Sequence, residues 1–278
     1  MRIFITLLAF SSFFLLSCQK EIDPTIINGG GGGGTTSTRL IKMVTKSGSD
    51  SSVQEFSYNS SGRIIGYKLS GVQSGRPLDF RLTYVRNSSN IIQKQILKSN
   101  DLVGIGIDSI VTVVGYDLGN NRYKNGVSVF VLSGLSIRDS IAFQYNGTGR
   151  LASETDYSDV GFGMDPSTKT EYSYSGNNLA GEKLYSYDAN SSSFQLDDTY
   201  TYEYDSKINP LQFATEGAIL NMNPFYSANN ITKTTLVDSD PAINYVSIET
   251  YTYNSSNRPA TSTSVTGSDT STTTYYYQ

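Results

Sequence analysis

The sequence predicts an all-β fold, a curled antiparallel meander of hairpin repeats, with one short helix near 211-222; a meander of so many strands should curl, close or be plugged, and the sequence leaves open whether it closes. Three observations predict this fold class. Apolar or aromatic residues alternate with polar ones in runs that end on a tyrosine. A turn of Asn, Ser and Gly follows, and an apolar residue resumes the chain five to seven positions later. The unit recurs at intervals from 22 residues (Tyr204 to Tyr226) to 32 residues (Tyr84 to Tyr116), which fits one strand, one turn and one returning strand.

In chain order, residues 1-17 read as a lipoprotein signal peptide. Arg2 supplies the positive charge, and Ile3 to Leu16 is apolar apart from Thr6, Ser11 and Ser12. The run is shorter than the ~20 apolar residues a spanning helix needs. It ends in Leu15-Leu16-Ser17-Cys18, which resembles a bacterial lipobox, with Cys18 the lipidation site. Two or three acyl chains, at ~0.8 kcal/mol per buried methylene, make such an anchor effectively permanent. Cys18 is the chain's single cysteine, so once acylated no thiol is left for a disulfide, and the domain must rest on a core of its own.

Residues 18-38 read as the lipidated Cys and a Gly-rich tether, because the run Gly29 to Gly34 gains too little from ordering. Lys20, Glu21 and Asp23 follow the cysteine and resemble the export signals that send lipoproteins of Bacteroidota to the outer face of the outer membrane, with Ile22 a departure. A solvated linker with incidental charges is the alternative. The resemblance implies a lipid-anchored protein of the outer membrane, at the cell surface, whose partner is the membrane through its anchor.

Residues 39-278 read as a single β-repeat domain. The clearest copies are Phe56-Ser57-Tyr58-Asn59-Ser60-Ser61-Gly62-Arg63-Ile64 and Phe143-Gln144-Tyr145-Asn146-Gly147-Thr148-Gly149-Arg150-Leu151. Weaker copies centre on Tyr84, Tyr116, Tyr174, Tyr204, Tyr226 and Tyr253, and Tyr275-Tyr276-Tyr277 reads as a last half-copy. In Tyr200-Thr201-Tyr202-Glu203-Tyr204 the tyrosines share one face and Thr201 and Glu203 the other, the pattern of a half-buried strand. Gly62 and Gly149 are expected at positive φ, which glycine adopts at little cost.

From Leu102 to Tyr145 both faces read as apolar, with Val103, Ile105, Ile107, Val111, Val113, Val127, Val129 and Val131 beside Phe130 and Leu132. Strands of that kind are covered on both sides, so the densest core is expected here. The pair Gly104-x-Gly106 reads as close strand packing. Leu211, Ala214, Ala218 and Met222 fall at helical spacing between Pro210 and Pro224 and predict the one helix.

The flanks of that helix, Asp205-Ser206-Lys207-Ile208-Asn209-Pro210 and Asn223-Pro224-Phe225-Tyr226 with Asn229-Asn230, resemble a pattern of uncharacterised Bacteroidota surface lipoproteins. The unit is also similar to the tyrosine-aspartate (YD) repeat of the RHS and teneurin families, aromatic-x-Tyr-Asp followed by Gly-Arg-Leu. Gly62-Arg63-Ile64, Gly149-Arg150-Leu151 and Tyr204-Asp205 carry the likeness. The copies are few and irregularly spaced, so the large enclosing shell of those families is not carried over.

Composition excludes several chemistries. With no histidine, imidazole bases and imidazole-bound metals are out, and an acylated Cys18 removes thiolate chemistry. No phosphate-binding glycine loop is present. The formal charge of -4 becomes -5 when Arg2 leaves with the signal, giving no basic footprint for nucleic acid. Carboxylates remain: Glu171, Glu182, Glu203, Glu216, Glu249, Asp108, Asp139, Asp156 and Asp205 include possible pairs for glycoside hydrolysis, which needs two carboxyls ~5 to 9 Å apart. Asp156, Asp159 and Asp165, and Asp238 with Asp240, are loop acids of the calcium-binding kind, but Asp165-Pro166 and Asp240-Pro241 read more simply as turn initiators.

The sequence therefore points to a non-enzymatic surface scaffold, with no catalytic residue, cofactor or metal, that binds a glycan or an envelope protein through a polar-aromatic face. The alternative is a glycan-directed, carboxylate-dependent hydrolase on the same scaffold.

Overall fold

The computed structural model describes residues 39–278 except 160, 162, 212–215 and 221–226. The signal peptide, Cys18 and the tether lie outside the described residues. Sixteen strands follow one another: β1 (Leu40–Ser47), β2 (Asp50–Tyr58), β3 (Ile64–Gln73), β4 (Arg76–Arg86), β5 (Ile92–Ser99), β6 (Ile110–Asp117), β7 (Arg122–Leu132) and β8 (Leu135–Tyr145). The second half comprises β9 (Leu151–Asp159), β10 (Asp165–Ser175), β11 (Asn178–Asp188), β12 (Ser193–Ile208), β13 (Asn229–Asp238), β14 (Tyr245–Tyr253), β15 (Pro259–Thr266) and β16 (Asp269–Tyr277). Each pairs antiparallel with its sequence neighbours, and β16 returns to pair with β1.

That closure corrects the expected fold class. The sheet is not an open, curled stack of YD-type repeats but a closed barrel, with Met43 opposite Tyr275 and Val44 opposite Thr274. Each hairpin adds a strand beside the last, and the twist per strand accumulates until the first and last edges meet. A repeat period carries no record of that meeting, because the two edges lie at opposite ends of the chain.

The odd strands all begin at one rim, where Arg39 and Gln278 also pair backbone to backbone. The short turns of this rim share one design. In the Asn146 turn, Asn146 N–H donates to Arg150 O at 2.8 Å, and Gly149 N–H donates to Asn146 O at 3.0 Å. Arg150 N–H donates to the Asn146 side-chain oxygen at 3.0 Å. Asn59, Asn87 and Asn254 repeat it. Gly62 and Gly149 both take φ +79 as expected, and Asn90 and Asn257 fill the same left-handed place elsewhere.

Register shifts fall immediately before the rim tyrosines, between Ser57 and Tyr58, Gly115 and Tyr116, Gln144 and Tyr145, Ser173 and Tyr174, Glu203 and Tyr204, and Thr252 and Tyr253. A bulge re-aims the side chain that follows it. The hydroxyls of Tyr58, Tyr145, Tyr174, Tyr204 and Tyr277 then donate to the carbonyls of Leu40, Tyr123, Leu151, Leu179 and Pro259, at 2.6–2.9 Å. Each bond ties the end of an even strand to the start of the odd strand before it.

The main core sits inside this rim: Leu40, Ile64, Tyr67, Leu82, Tyr84, Ile92 and Leu151 are buried there with Ile219 and Leu220. This corrects the placement of the densest core between Leu102 and Tyr145. Val111, Val113, Val129 and Val131 point outward and remain 36–61% exposed, since alternation alone does not say whether a second apolar face has a cover. Val103 lies in a five-residue helix, Asn100–Gly104, capped by Ser99. Gly104 closes that helix and Gly106 takes φ +83, so the glycine pair serves a turn and not close strand packing. Of the helix expected near 211-222, Gly217–Leu220 is helical; Ala214 and Met222 lie outside the described residues.

Candidate functional site

Between β12 and β13, Leu211, Glu216, Ile219 and Leu220 are buried inside the barrel at the rim where β1 begins. The ends of this segment are fixed by asparagines. The Asn209 amide donates to Asn229 O, and the Asn229 amide donates to Lys207 O, both at 3.0 Å. Ser227 donates to the Tyr204 hydroxyl at 2.8 Å and accepts from Leu179 N–H at 3.0 Å. Inside, Arg86 makes a forked pair with Glu216, at 2.6 and 2.9 Å, with only 4% and 7% of the two side chains exposed. The remaining Arg86 donors reach Ile64 O at 2.9 Å and Asn90 O at 2.6 Å, so the buried charges are matched and hydrogen-bonded. Tyr84 donates to Leu220 O at 2.7 Å, and burial pushes its phenol well above the usual range. This segment plugs one end.

Away from the plug the inner wall is polar, and strands pack mainly against their sheet neighbours. From β8 to β14 the inward register positions hold Asp139, Glu154, Asp156, Tyr172, Glu182, Asp198, Tyr200, Tyr202, Tyr245, Glu249 and Tyr251, and no Lys or Arg. Ser158 donates to Asp139 at 2.6 Å, Thr168 to Asp156 at 2.7 Å and Tyr202 to Glu182 at 3.1 Å. The Tyr200 and Tyr202 rings stack with centroids 6.5 Å apart.

On this wall without cations, burial raises the pKa values of the carboxylates. Desolvation raises Glu154, reinforced by the charge of Asp156. Desolvation likewise raises Asp156 to about 6, and Asp198 to about 7, with Asp238 reinforcing the second. Asp139 and Glu249 are raised by the same cause. Asp198 faces Asp238 across the β12–β13 ladder, and its Oδ1 is buried with no hydrogen-bond partner. Asp238 moves the opposite way, held down first by the Asp240 N–H and then by Asp198. Such a surface suits a ligand that offers cationic groups or hydroxyls to carboxylates and flat faces to tyrosines.

The acids singled out from sequence separate into five places. Asp139, Asp156, Glu182 and Glu249 line the lumen. Glu171 and Glu203 stand outside, paired with Lys169 at 2.5 Å and Lys233 at 2.6 Å. Glu216 holds the plug. Asp205 braces the rim by accepting from Asn230 and Tyr253, and Asp108 sits in an exposed loop. Among the described residues no three acids converge as a metal site requires. Asp159 and Asp240 instead accept from backbone N–H groups of their own turns. Sequence reasoning missed Glu154 and Asp198, although the alternation Ser153-Glu154-Thr155-Asp156 places both of its acids on one face.

The architecture is a closed, sixteen-stranded up-and-down barrel with a plugged end and a polar lumen. It is similar to the solved structure of a porin-like protein from Bacteroides uniformis, with 14% identity over 87% of this chain and 98% of that one and a TM-score of 0.54. A porin-like protein from Bacteroides vulgatus gives 12% identity over 87% and 99% of the two chains and a TM-score of 0.52. At these identities the likeness is one of fold. The sequence matches no protein-family model and no curated protein.

Proposed function

We propose that this chain is a non-enzymatic lipoprotein of the outer membrane, anchored through Cys18, whose barrel stands in water as a binding cup. The observation that carries this reading is the polarity of the outer wall. A lipid-spanning barrel needs an apolar band ~25 Å tall on its outside, and a Lys or Arg at mid-membrane costs ~2–4 kcal/mol. Here the outward positions include Lys42, Lys68, Arg81, Lys94, Arg138, Lys169, Lys183 and Lys233, beside Glu55 and Glu203. Those charges sit along strands of 8–16 residues, too densely for a bilayer to avoid them. Membrane attachment then falls to the lipid, and the tyrosine-carboxylate lumen is a pocket opening to solvent, not a conduit across lipid. Its proposed ligands are a glycan or a segment of an envelope protein.

The test compares native protein with Cys18→Ala. Intact-mass analysis should find acyl chains on Cys18 in the mature native protein, while the variant chain should remain in solution without detergent and add no conductance to planar bilayers. A variant that requires detergent, or that opens stepwise currents, would show that the barrel itself spans the membrane.

A further inference from the structure

Charge is distributed unevenly along the barrel axis. The rim where β1 begins carries Arg39, Arg63, Arg122, Arg150, Lys207 and Arg258. Four of these lie over tyrosine rings: Arg39 over Tyr58 at 5.0 Å, Arg122 over Tyr145 at 4.7 Å, Arg150 over Tyr174 at 5.2 Å and Lys207 over Tyr253 at 5.8 Å. Stacking holds these cations in place and leaves their charge intact. Of the acids at this rim only Glu216 is neutralised by a cation, while Asp117 and Asp205 keep their charge, so the rim's cations still outnumber its free acids. Glu216 is matched by Arg86, Asp205 accepts from Asn230 and Tyr253, and Asp117 accepts from Gly119 and Asn120 in its own turn. The opposite rim carries Asp50, Asp101, Asp108, Asp165, Asp188 and Asp240, which outnumber its cations Lys46, Arg76 and Lys98.

We propose that the basic rim is a docking face for an anionic lipid surface, so that the barrel sits plug-down on the leaflet that holds its anchor and turns its acidic mouth outward. This deepens the lipoprotein reading and rests on it. Arg39 begins the described chain at this rim, and residues 19–38 extend at most about 70 Å between a lipid on Cys18 and Arg39. This rim is where the tether joins the barrel, so docking here needs no reversal of the chain around the barrel. A belt of cations there is attracted to lipid phosphates at about 1 kcal/mol per Lys or Arg, a ~5-fold change in binding for each, whereas the acidic rim would be repelled.

Docking can be measured without the lipid, which separates it from the anchor itself. The full mature chain carrying Cys18→Ser is sedimented with vesicles of phosphatidylcholine containing 30% phosphatidylglycerol, and with pure phosphatidylcholine. Binding is expected to the anionic vesicles alone and to fade in high salt. Arg122→Gln with Arg150→Gln should weaken it by roughly 25-fold, while Arg122→Lys with Arg150→Lys should retain it. Lys94→Gln with Lys183→Gln removes the same charge from the outer wall and should leave it unchanged. Each variant is first matched to the parent by circular dichroism. Equal binding to both vesicle types, or equal loss in the Lys94 and Lys183 control, would overturn the proposal, whatever intact-mass analysis finds at Cys18.

Discussion

Glu216 and Arg86 form the one buried ion pair of the plug among the described residues. Both charges are withdrawn from water, so their stability comes from each other and from the carbonyls of Ile64 and Asn90. Breaking such a pair leaves one charge buried and uncompensated, a loss of ~3–5 kcal/mol, whereas removing both can be nearly neutral. Glu216→Gln should therefore lower unfolding free energy in urea by about 3 kcal/mol or more, and Glu216→Leu with Arg86→Met should lose less than Glu216→Gln alone. Glu203, 66% exposed beside Lys233, provides the contrast, because Glu203→Gln should change stability by no more than ~1 kcal/mol. If the two single variants cost the same, the plug is not held by its ion pair. Nothing in the sequence around Glu216 marked it for this role: a glutamate in an apolar stretch reads equally as a solvated position, and its partner lies 130 residues away.

The element that repeats is a hairpin joined by an asparagine turn. The side chain of Asn146 accepts from Thr148 and Arg150 N–H groups, which organises the turn before any tertiary contact forms. Gly149 occupies a left-handed position with open space around an added Cβ. Only conformational preference then opposes a substitution, and a β-branched residue in that region costs ~1 kcal/mol or more. Gly149→Val should lower thermal stability accordingly, while Gly149→Asn, which reproduces the residue used at Asn90 and Asn257, should be nearly neutral in the same melts. Equal effects of Val and Asn would mean that the turn conformation does not limit stability. These turns were legible because Asn, Gly and Arg recur at fixed offsets. The bulges beside them were not, since a two-against-one register depends on the partner strand.

At the scale of the whole molecule the lumen acids set the response to pH. Glu154, Asp156 and Asp198 have folded-state pKa values above their unfolded ones, so in neutral solution the native barrel binds more protons than the unfolded chain. Their stabilisation is complete below about pH 4, the unfolded range, and is lost as pH rises through the raised values near 6 and 7. Acids with lowered values, Glu171 and Asp238 among them, act with the opposite sign, and their contribution is lost only as pH falls below about 4. Thermal melts should therefore show the midpoint falling from pH 5 to pH 8, and Asp198→Asn with Glu154→Gln should flatten that slope. A midpoint that rises over this interval would mean that the acids are solvated and that the wall is not the desolvated surface described.

The sequence by itself determined the hairpins: where most of the strands run, where the asparagine turns fall, and which side chains of a strand share a face. Those properties are local, because a period of two and a turn residue act within a few positions of each other. Tertiary structure alone decided that the sheet closes, that Tyr200 and Glu154 share an interior while Val129 looks out, that a segment near Glu216 fills one end, and that cations and acids collect on opposite rims. Closure pairs Met43 with Tyr275 across almost the whole chain, and alternation gives both faces of a strand equal standing until closure makes one of them the inside.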